Sequence, residues 1–139
     1  MKNAILCAVV FLAAVFSYAV PKAEEPADTA NVTCEQAFEL IKAHEGDTNF
    51  VIIDFRPVEK YKNAYMENAI FYDVFSDSVD VWLETLDKNK IYLIYCTVGH
   101  RSGIALEKMR AMGFWEVYHM NEGIRVWKEQ GYKTLSLEE

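Results

Sequence analysis

Basic residues are the scarcer charge in this sequence, with 14 Lys and Arg against 21 Asp and Glu among 139 residues and a net charge of −7. Binding nucleic-acid phosphates through charge needs a basic footprint, so generic nucleic-acid binding is excluded. That exclusion covers the global field only. A local positive site can sit inside an acidic protein, and His100-Arg101 is the candidate. Cysteine and histidine are sparse too, at three each, and they lack the paired short spacing of a zinc site. No metal and no cofactor is therefore expected. There is no internal repeat and no low-complexity tract. What the chain has in quantity is apolar matter, 52% hydrophobic and 14% aromatic, enough for the core of one domain.

The first twenty or so residues differ in kind from the rest. Lys2 is a minimal positive start, Ala4 to Phe16 is an unbroken apolar run, and Ser17-Tyr18-Ala19 puts small residues at the −3 and −1 positions of a cleavage site. This pattern predicts a secretory signal peptide over 1–19, cut after Ala19, and a periplasmic or secreted product. The alternative is an uncleaved membrane anchor, although the apolar stretch falls short of the roughly 20 residues that span a bilayer. Ala4-Ile5-Leu6 lacks the small residue expected just before a lipidated cysteine, so Cys7 is not favoured as a lipid site. Cleavage leaves 13 basic and 21 acidic residues, a net −8, and two cysteines, Cys34 and Cys96. Residues 20–31 are rich in Pro, Ala and acids without periodicity and read as a flexible leader to a domain over 32–139.

Within that domain, short apolar runs alternate with helical spacing. Thr33-Cys34-Glu35-Gln36 fits a capping box, and the helix it opens runs to His44 before Gly46. Phe50 to Ile53 reads as a strand buried on both faces, ended by Asp54-Phe55-Arg56-Pro57, with Pro57 opening a short helix to about Asn63. Strands are then expected at Ala69 to Tyr72, Ile91 to Tyr95 and Val117 to Met120. Helices are expected at Asp77 to Leu86, Ile104 to Met112 and Glu122 to Gln130, the last two stopped by Gly113 and Gly131. This alternation implies an α/β domain with a mainly parallel central sheet flanked by helices. Ligands in such folds sit beyond the carboxyl ends of the strands, which is where Asp54 and Cys96 fall.

Cys96 is followed by Thr97, Val98, Gly99, His100, Arg101 and Ser102. If the turn is tight, the amides of Thr97 to Ser102 can point around the sulfur as an anion nest backed by a helix N-terminus. Gly99 allows the sharp path, Ser102 can cap the following helix, and Arg101 adds a permanent charge with a bidentate fork. Such surroundings lower a cysteine pKa from about 8.5 into the range of about 3.5 to 7.5. The site suits a sulfur nucleophile and an anionic reactant.

The stretch Cys96-Thr97-Val98-Gly99-His100-Arg101, read as C-x-x-G-x-R, resembles the active-site loop of rhodanese-type sulfurtransferases. FVIIDFRPVEKY (50 to 61) is similar to that family's first core strand with its Asp-x-Arg signature. GFWEVYHMNEGIRVWKEQGY (113 to 132) is similar to its closing strand and Gly-x-x-x-Trp helix, through Gly123 and Trp127. The resemblance implies a rhodanese-like three-layer fold. It also implies that Cys96 takes a sulfane sulfur as a persulfide and yields it to a thiophilic acceptor, that Thr97 to Arg101 cradle it, and that Asp54 and Arg56 organise the loop. The partners it implies are a small anionic sulfur donor such as thiosulfate or polysulfide, and cyanide, a thiol or a protein as acceptor. Membrane contact is expected only if the signal segment stays uncleaved. Related phosphatases use C-x₅-R, a larger loop sized for phosphate, whereas four residues separate Cys96 from Arg101 and favour sulfur. The family's Gly-His-Ile-Pro-Gly-Ala is Ala64-Tyr65-Met66-Glu67-Asn68-Ala69 here, and its Gly-Gly is Glu122-Gly123.

Blander readings stand beside these. Cys96 could be an inert strand-end cysteine, and the domain a non-catalytic sulfur carrier or protein-binding module. Cys34 is expected to pack; a Cys34–Cys96 switch would need Cα atoms within about 7 Å. His44 and His119 read as surface or packing residues, and the three tryptophans as core or rim.

Overall fold

The structure is a computed structural model and describes residues 31–137; the expectations for the signal segment and for residues 20–30 of the leader lie outside the described residues. Five strands form one all-parallel sheet in the order β1-β5-β4-β2-β3, with β1 Asn31–Val32, β2 Phe50–Asp54, β3 Ala69–Phe71, β4 Ile91–Tyr95 and β5 Glu116–Met120. Four helices connect them, α1 Cys34–Ala43, α2 Val58–Tyr61, α3 Val79–Glu84 and α4 His100–Ala111, and a fifth, α5 Gly123–Glu129, follows β5.

Sheet burial explains the apolar runs. Successive side chains of a strand point to opposite faces, and both faces here are covered. Ile53, Tyr92, Ile94 and Val117 pack with Leu83 of α3 and Ala105, Leu106 and Met109 of α4. Ile52, Leu93, Tyr95 and Met120 pack with Cys34 and Ala37 of α1 and Ile124 and Trp127 of α5. The result is three layers, helix on sheet on helix, as expected. A strand buried on both faces cannot alternate polar with apolar, which is why β2 and β4 read as continuous hydrophobic segments.

Local chemistry sets the helix ends. The capping box of α1 is complete: Thr33 N–H donates to Gln36 Oε1 at 2.9 Å, and Gln36 N–H to Thr33 Oγ1 at 3.2 Å. Three elements differ from expectation. The helix read over Asp77 to Leu86 is only Val79–Glu84, flanked by turns. Asn31, assigned by composition to the leader, is already strand, paired with His119 of β5. The helix after Cys96 starts at His100 with Gly99 as its N-cap, so Ser102 does not cap it. Gly99 has φ +89°, and a Cβ there would collide with the Asn121 carbonyl; only glycine lets the helix begin this close to the strand. Beyond α5, the chain returns to pair Leu135 with Tyr65 in an isolated antiparallel bridge.

Leu93 is fully buried at the centre of the sheet, whereas Val81 is 71% exposed. Leu93→Ala is expected to lower unfolding free energy by about 2–5 kcal/mol. Val81→Ala should change it by less than about 0.5 kcal/mol, both read by urea denaturation.

Candidate active site

Cys96 follows directly on β4, at the carboxyl edge of the sheet, and is 2% exposed. Its carbonyl accepts Ile124 N–H at 2.9 Å, and the Thr97 carbonyl accepts Arg125 N–H at 3.1 Å. The first amides of α5 therefore hold the loop by its outward carbonyls. A trans peptide sets its N–H opposite its C=O, so the Thr97 and Val98 amides are turned away from α5. Gly123 makes this approach possible. Its φ is +73°, and a Cβ would strike the Thr97 carbonyl.

The sulfur sits at the start of α4. Gly99 N–H donates to Cys96 Sγ at 3.2 Å, and the Ser102 hydroxyl donates to it at 3.3 Å. Gly99 supplies no side-chain cap, and its own N–H is taken up by Cys96 Sγ. The first turn of α4 holds no acid and carries His100 and Arg101 instead. The Arg101 charge opposes the helix dipole there, and no acidic side chain of that turn complements it. Ser102, expected as a helix cap, is instead a buried donor to sulfur.

Arg101 does not contact the sulfur. It is half-buried, with its guanidinium 5.2 Å from the ring centre of Phe75. Thr97 and His100 are exposed, as is Val98 at 48%, so the outer wall of the loop faces solvent.

Asp54 and Arg56, at the end of β2, form a buried ion pair: Arg56 Nη2 to Asp54 Oδ2 at 2.6 Å and Nε to Oδ1 at 2.8 Å. Arg56 also donates to the Lys60 and Ala64 carbonyls at 2.9 and 2.7 Å, and so fastens the segment after β2. Burial is the larger influence on Asp54 and pushes its carboxyl up, with Arg56 opposing it. The pair organises backbone and makes no contact with Cys96 Sγ. Phe55 N–H, between the two, donates to the Tyr95 carbonyl at 3.0 Å, beside the cysteine.

Two residues make contacts that the sequence analysis did not assign to them. His119 of β5 is a buried polar residue at 6% exposure, not a surface or merely packing one. Its Nε2 lies 2.8 Å from Ser102 Oγ, and its Nδ1 lies 3.0 Å from Asn31 Oδ1. The period-2 pattern of β5 held the signal: residue 119 shares a face with Val117, which packs under α4. Glu122, the departure from Gly-Gly, accepts Cys34 N–H at 2.7 Å and so satisfies the N-terminus of α1. Cys34 is a free, buried thiol beside it, pushed up to about 12 by burial and by Glu122.

This chain matches the family described as Rhodanese-like domain over residues 37–130, and it belongs to that family. Thiosulfate sulfurtransferase GlpE of Coxiella burnetii is 30% identical to it over 93 residues, 67% of this chain and 81% of that protein. The tRNA uridine(34) hydroxylase of Erwinia tasmaniensis is 31% identical over 116 residues, 78% of this chain but only 33% of that one. Among solved structures, a rhodanese-related protein from Thermoplasma volcanium superposes with a TM-score of 0.65 at 27% identity, over 78% of this chain and 99% of that chain. The family and the fold support a sulfurtransferase-type enzyme.

Two outcomes follow for the supporting residues. Asp54→Ala leaves the Arg56 charge buried without its partner and is expected to cost about 3–5 kcal/mol in urea denaturation. His119 has its pKa lowered, first by burial, with Arg110 adding to the effect and the Gly99 carbonyl opposing it. A histidine lowered on folding takes its proton later in the folded state than in the unfolded one. The stability it confers is present above the unfolded value, about 6.5, and is lost as pH falls through the folded value. Between about pH 7 and pH 5 the wild-type Tm should therefore fall more steeply than that of His119→Gln.

Proposed function

We propose that the domain transfers a sulfane sulfur from an anionic donor, thiosulfate or polysulfide, to cyanide or a thiol through a persulfide on Cys96. The observation that carries this reading is the cysteine sulfur standing at the N-terminus of α4, with the Gly99 amide and the Ser102 hydroxyl donated to it. Those donors are the kind of partner an anionic sulfur takes. With thiosulfate, the Cys96 thiolate attacks the outer sulfur, the S–S bond of the donor breaks, and sulfite leaves with the bonding pair. The terminal sulfur of the persulfide keeps a negative charge, so the same donors serve it. Cyanide then attacks that sulfur, the persulfide S–S bond breaks, thiocyanate departs and the Cys96 thiolate returns. A thiolate acceptor leaves as its own persulfide by the same exchange. No proton or electron enters or leaves in the cycle, in keeping with the absence of any cofactor from the scheme.

The relationship to a thiosulfate sulfurtransferase supports the donor class, and the four-residue spacing from Cys96 to Arg101 supports sulfur over phosphoryl chemistry. In this scheme Arg101, close to the loop and stacked on Phe75, supplies charge to the approaching donor rather than a bond to the cysteine. A second reading has its own observation. Val98 in the loop and Phe75 against Arg101 are exposed apolar side chains, 48% and 56%. That rim suits a protein acceptor, with the domain acting as a sulfur carrier.

Wild-type protein exposed to thiosulfate should gain the mass of one sulfur, and addition of cyanide should remove it with release of thiocyanate. Cys96→Ser should show neither the adduct nor turnover. Equal rates in the two proteins would dispose of the enzyme reading. An adduct that forms without turnover on cyanide or small thiols would favour the carrier.

A further inference from the structure

Four side chains join into one hydrogen-bonded line that crosses from the loop to the edge strand: Cys96 Sγ, Ser102 Oγ at 3.3 Å, His119 Nε2 at 2.8 Å from that oxygen, and Asn31 Oδ1 at 3.0 Å from His119 Nδ1. We propose that His119, held by Asn31 and acting through Ser102, is a positioning residue that receives the thiol proton of Cys96. The proposal deepens the sulfurtransferase reading and takes its relevance to turnover from it.

The line is satisfied in two protonation states without movement of a heavy atom. In the neutral state the Cys96 S–H donates to Ser102 Oγ, the Ser102 O–H to His119 Nε2, and His119 Nδ1–H to Asn31 Oδ1. On transfer, the S–H bond breaks and its proton passes to Ser102 Oγ, while the proton already on that oxygen passes to His119 Nε2. Ser102 remains an intact hydroxyl and now donates to a thiolate. His119 becomes an imidazolium, with Nε2–H given to Ser102 and Nδ1–H to Asn31. One proton moves its charge from one end of the line to the other, and each polar atom keeps a partner.

The groups around the ring allow both states. Ser102 and Gly103 of α4 lie over it, and Asn31 of β1 and Ile94 of β4 flank it in the sheet. The Gly99 carbonyl favours a proton on the ring, whereas burial and the Arg110 charge oppose it. The ring is therefore neutral near pH 7 when Cys96 is a thiol, which is the form able to accept. The anionic sulfur that appears at the other end then attracts the imidazolium and offsets the burial. At the sulfur, the facing groups are the Gly99 amide and the Ser102 hydroxyl, with Arg101 and His100 in the first turn of α4.

His119→Gln keeps a polar atom for Ser102 but cannot accept a proton. Thiolate on Cys96 is read from its ultraviolet absorbance between about pH 5 and pH 10, taken as the difference from Cys96→Ala so that tyrosines and Cys34 cancel. At about pH 7 the Gln variant is expected to hold about tenfold less thiolate than the wild type, the loss appropriate to one charge-assisted contact, and to reach the same plateau at high pH. A spacer role would leave the two curves superimposed. Independently, the His119 ring followed by NMR should titrate at lower pH in Cys96→Ala than in the wild type. Superimposed thiolate curves in a folded Gln variant, or an unchanged ring titration, each overturn the proposal. If the Gln variant does not fold, the ring titration decides alone. Neither measurement uses a sulfur donor, so a protein that fails to move sulfur can still pass both.

Discussion

Two backbone hydrogen bonds, from the Ile124 and Arg125 amides to the Cys96 and Thr97 carbonyls, hold the cysteine loop in its working shape. They link the first turn of the last helix to the end of the central strand. Because the carbonyls are occupied, the peptide planes cannot turn over, and the amides that follow them face the other way. The approach is close enough that residue 123 has to be glycine on two counts, conformation and space. The Gly-x-x-x-Trp stretch is thus a clamp. Gly123 lets the helix come close enough for the Ile124 and Arg125 amides to hold the loop, and Trp127, one turn later, anchors the helix in the layer shared with α1. A loop placed by neighbouring backbone is harder to distort than one placed by side chains.

Electrostatically the molecule works at two scales. Its overall charge is negative, yet the start of α4 brings an amide and a hydroxyl to one sulfur, with the permanent charge of Arg101 in the same turn. The guanidinium of Arg56 is instead neutralised by Asp54 and gives its remaining donors to backbone carbonyls. Local field and net charge have separate origins here, and only the second can be counted from composition.

Elements governed by neighbours in sequence were legible, and those governed by neighbours in space were not. The capping box at Thr33 and the continuous apolar runs of the buried strands are written in contiguous residues, whereas the cysteine loop, legible as a motif, takes its shape from the distant amides of Ile124 and Arg125. β1 is two residues long and exists only because β5 offers an edge at Asn31 and Val32. Ser102 was read as a cap because hydroxyls so often take that position, but the positive φ of Gly99 starts the helix earlier and frees the hydroxyl for the sulfur. His119 depended on three elements meeting at once: the register of β5 against β1, and α4 above both. Glu122 read as a departure from the family's pattern and proved to be the partner of α1's first amide. The Asp54–Arg56 pair, expected to organise the loop, makes its backbone contacts at Lys60 and Ala64.

Cys34 carries a consequence for the redox life of the domain. It is wholly buried, donates weakly to the Gly123 carbonyl and holds its proton to about pH 12. Exchange and oxidation run through the thiolate, so this second sulfur is a poor resolving partner. If Cys96 is oxidised to a sulfenic acid, no ready thiol within the described residues can trap it as a disulfide before further oxidation makes the damage permanent. Recovery must then come from a reductant outside the described residues, and the lifetime of a Cys96 sulfenic acid is set by how quickly that reductant arrives.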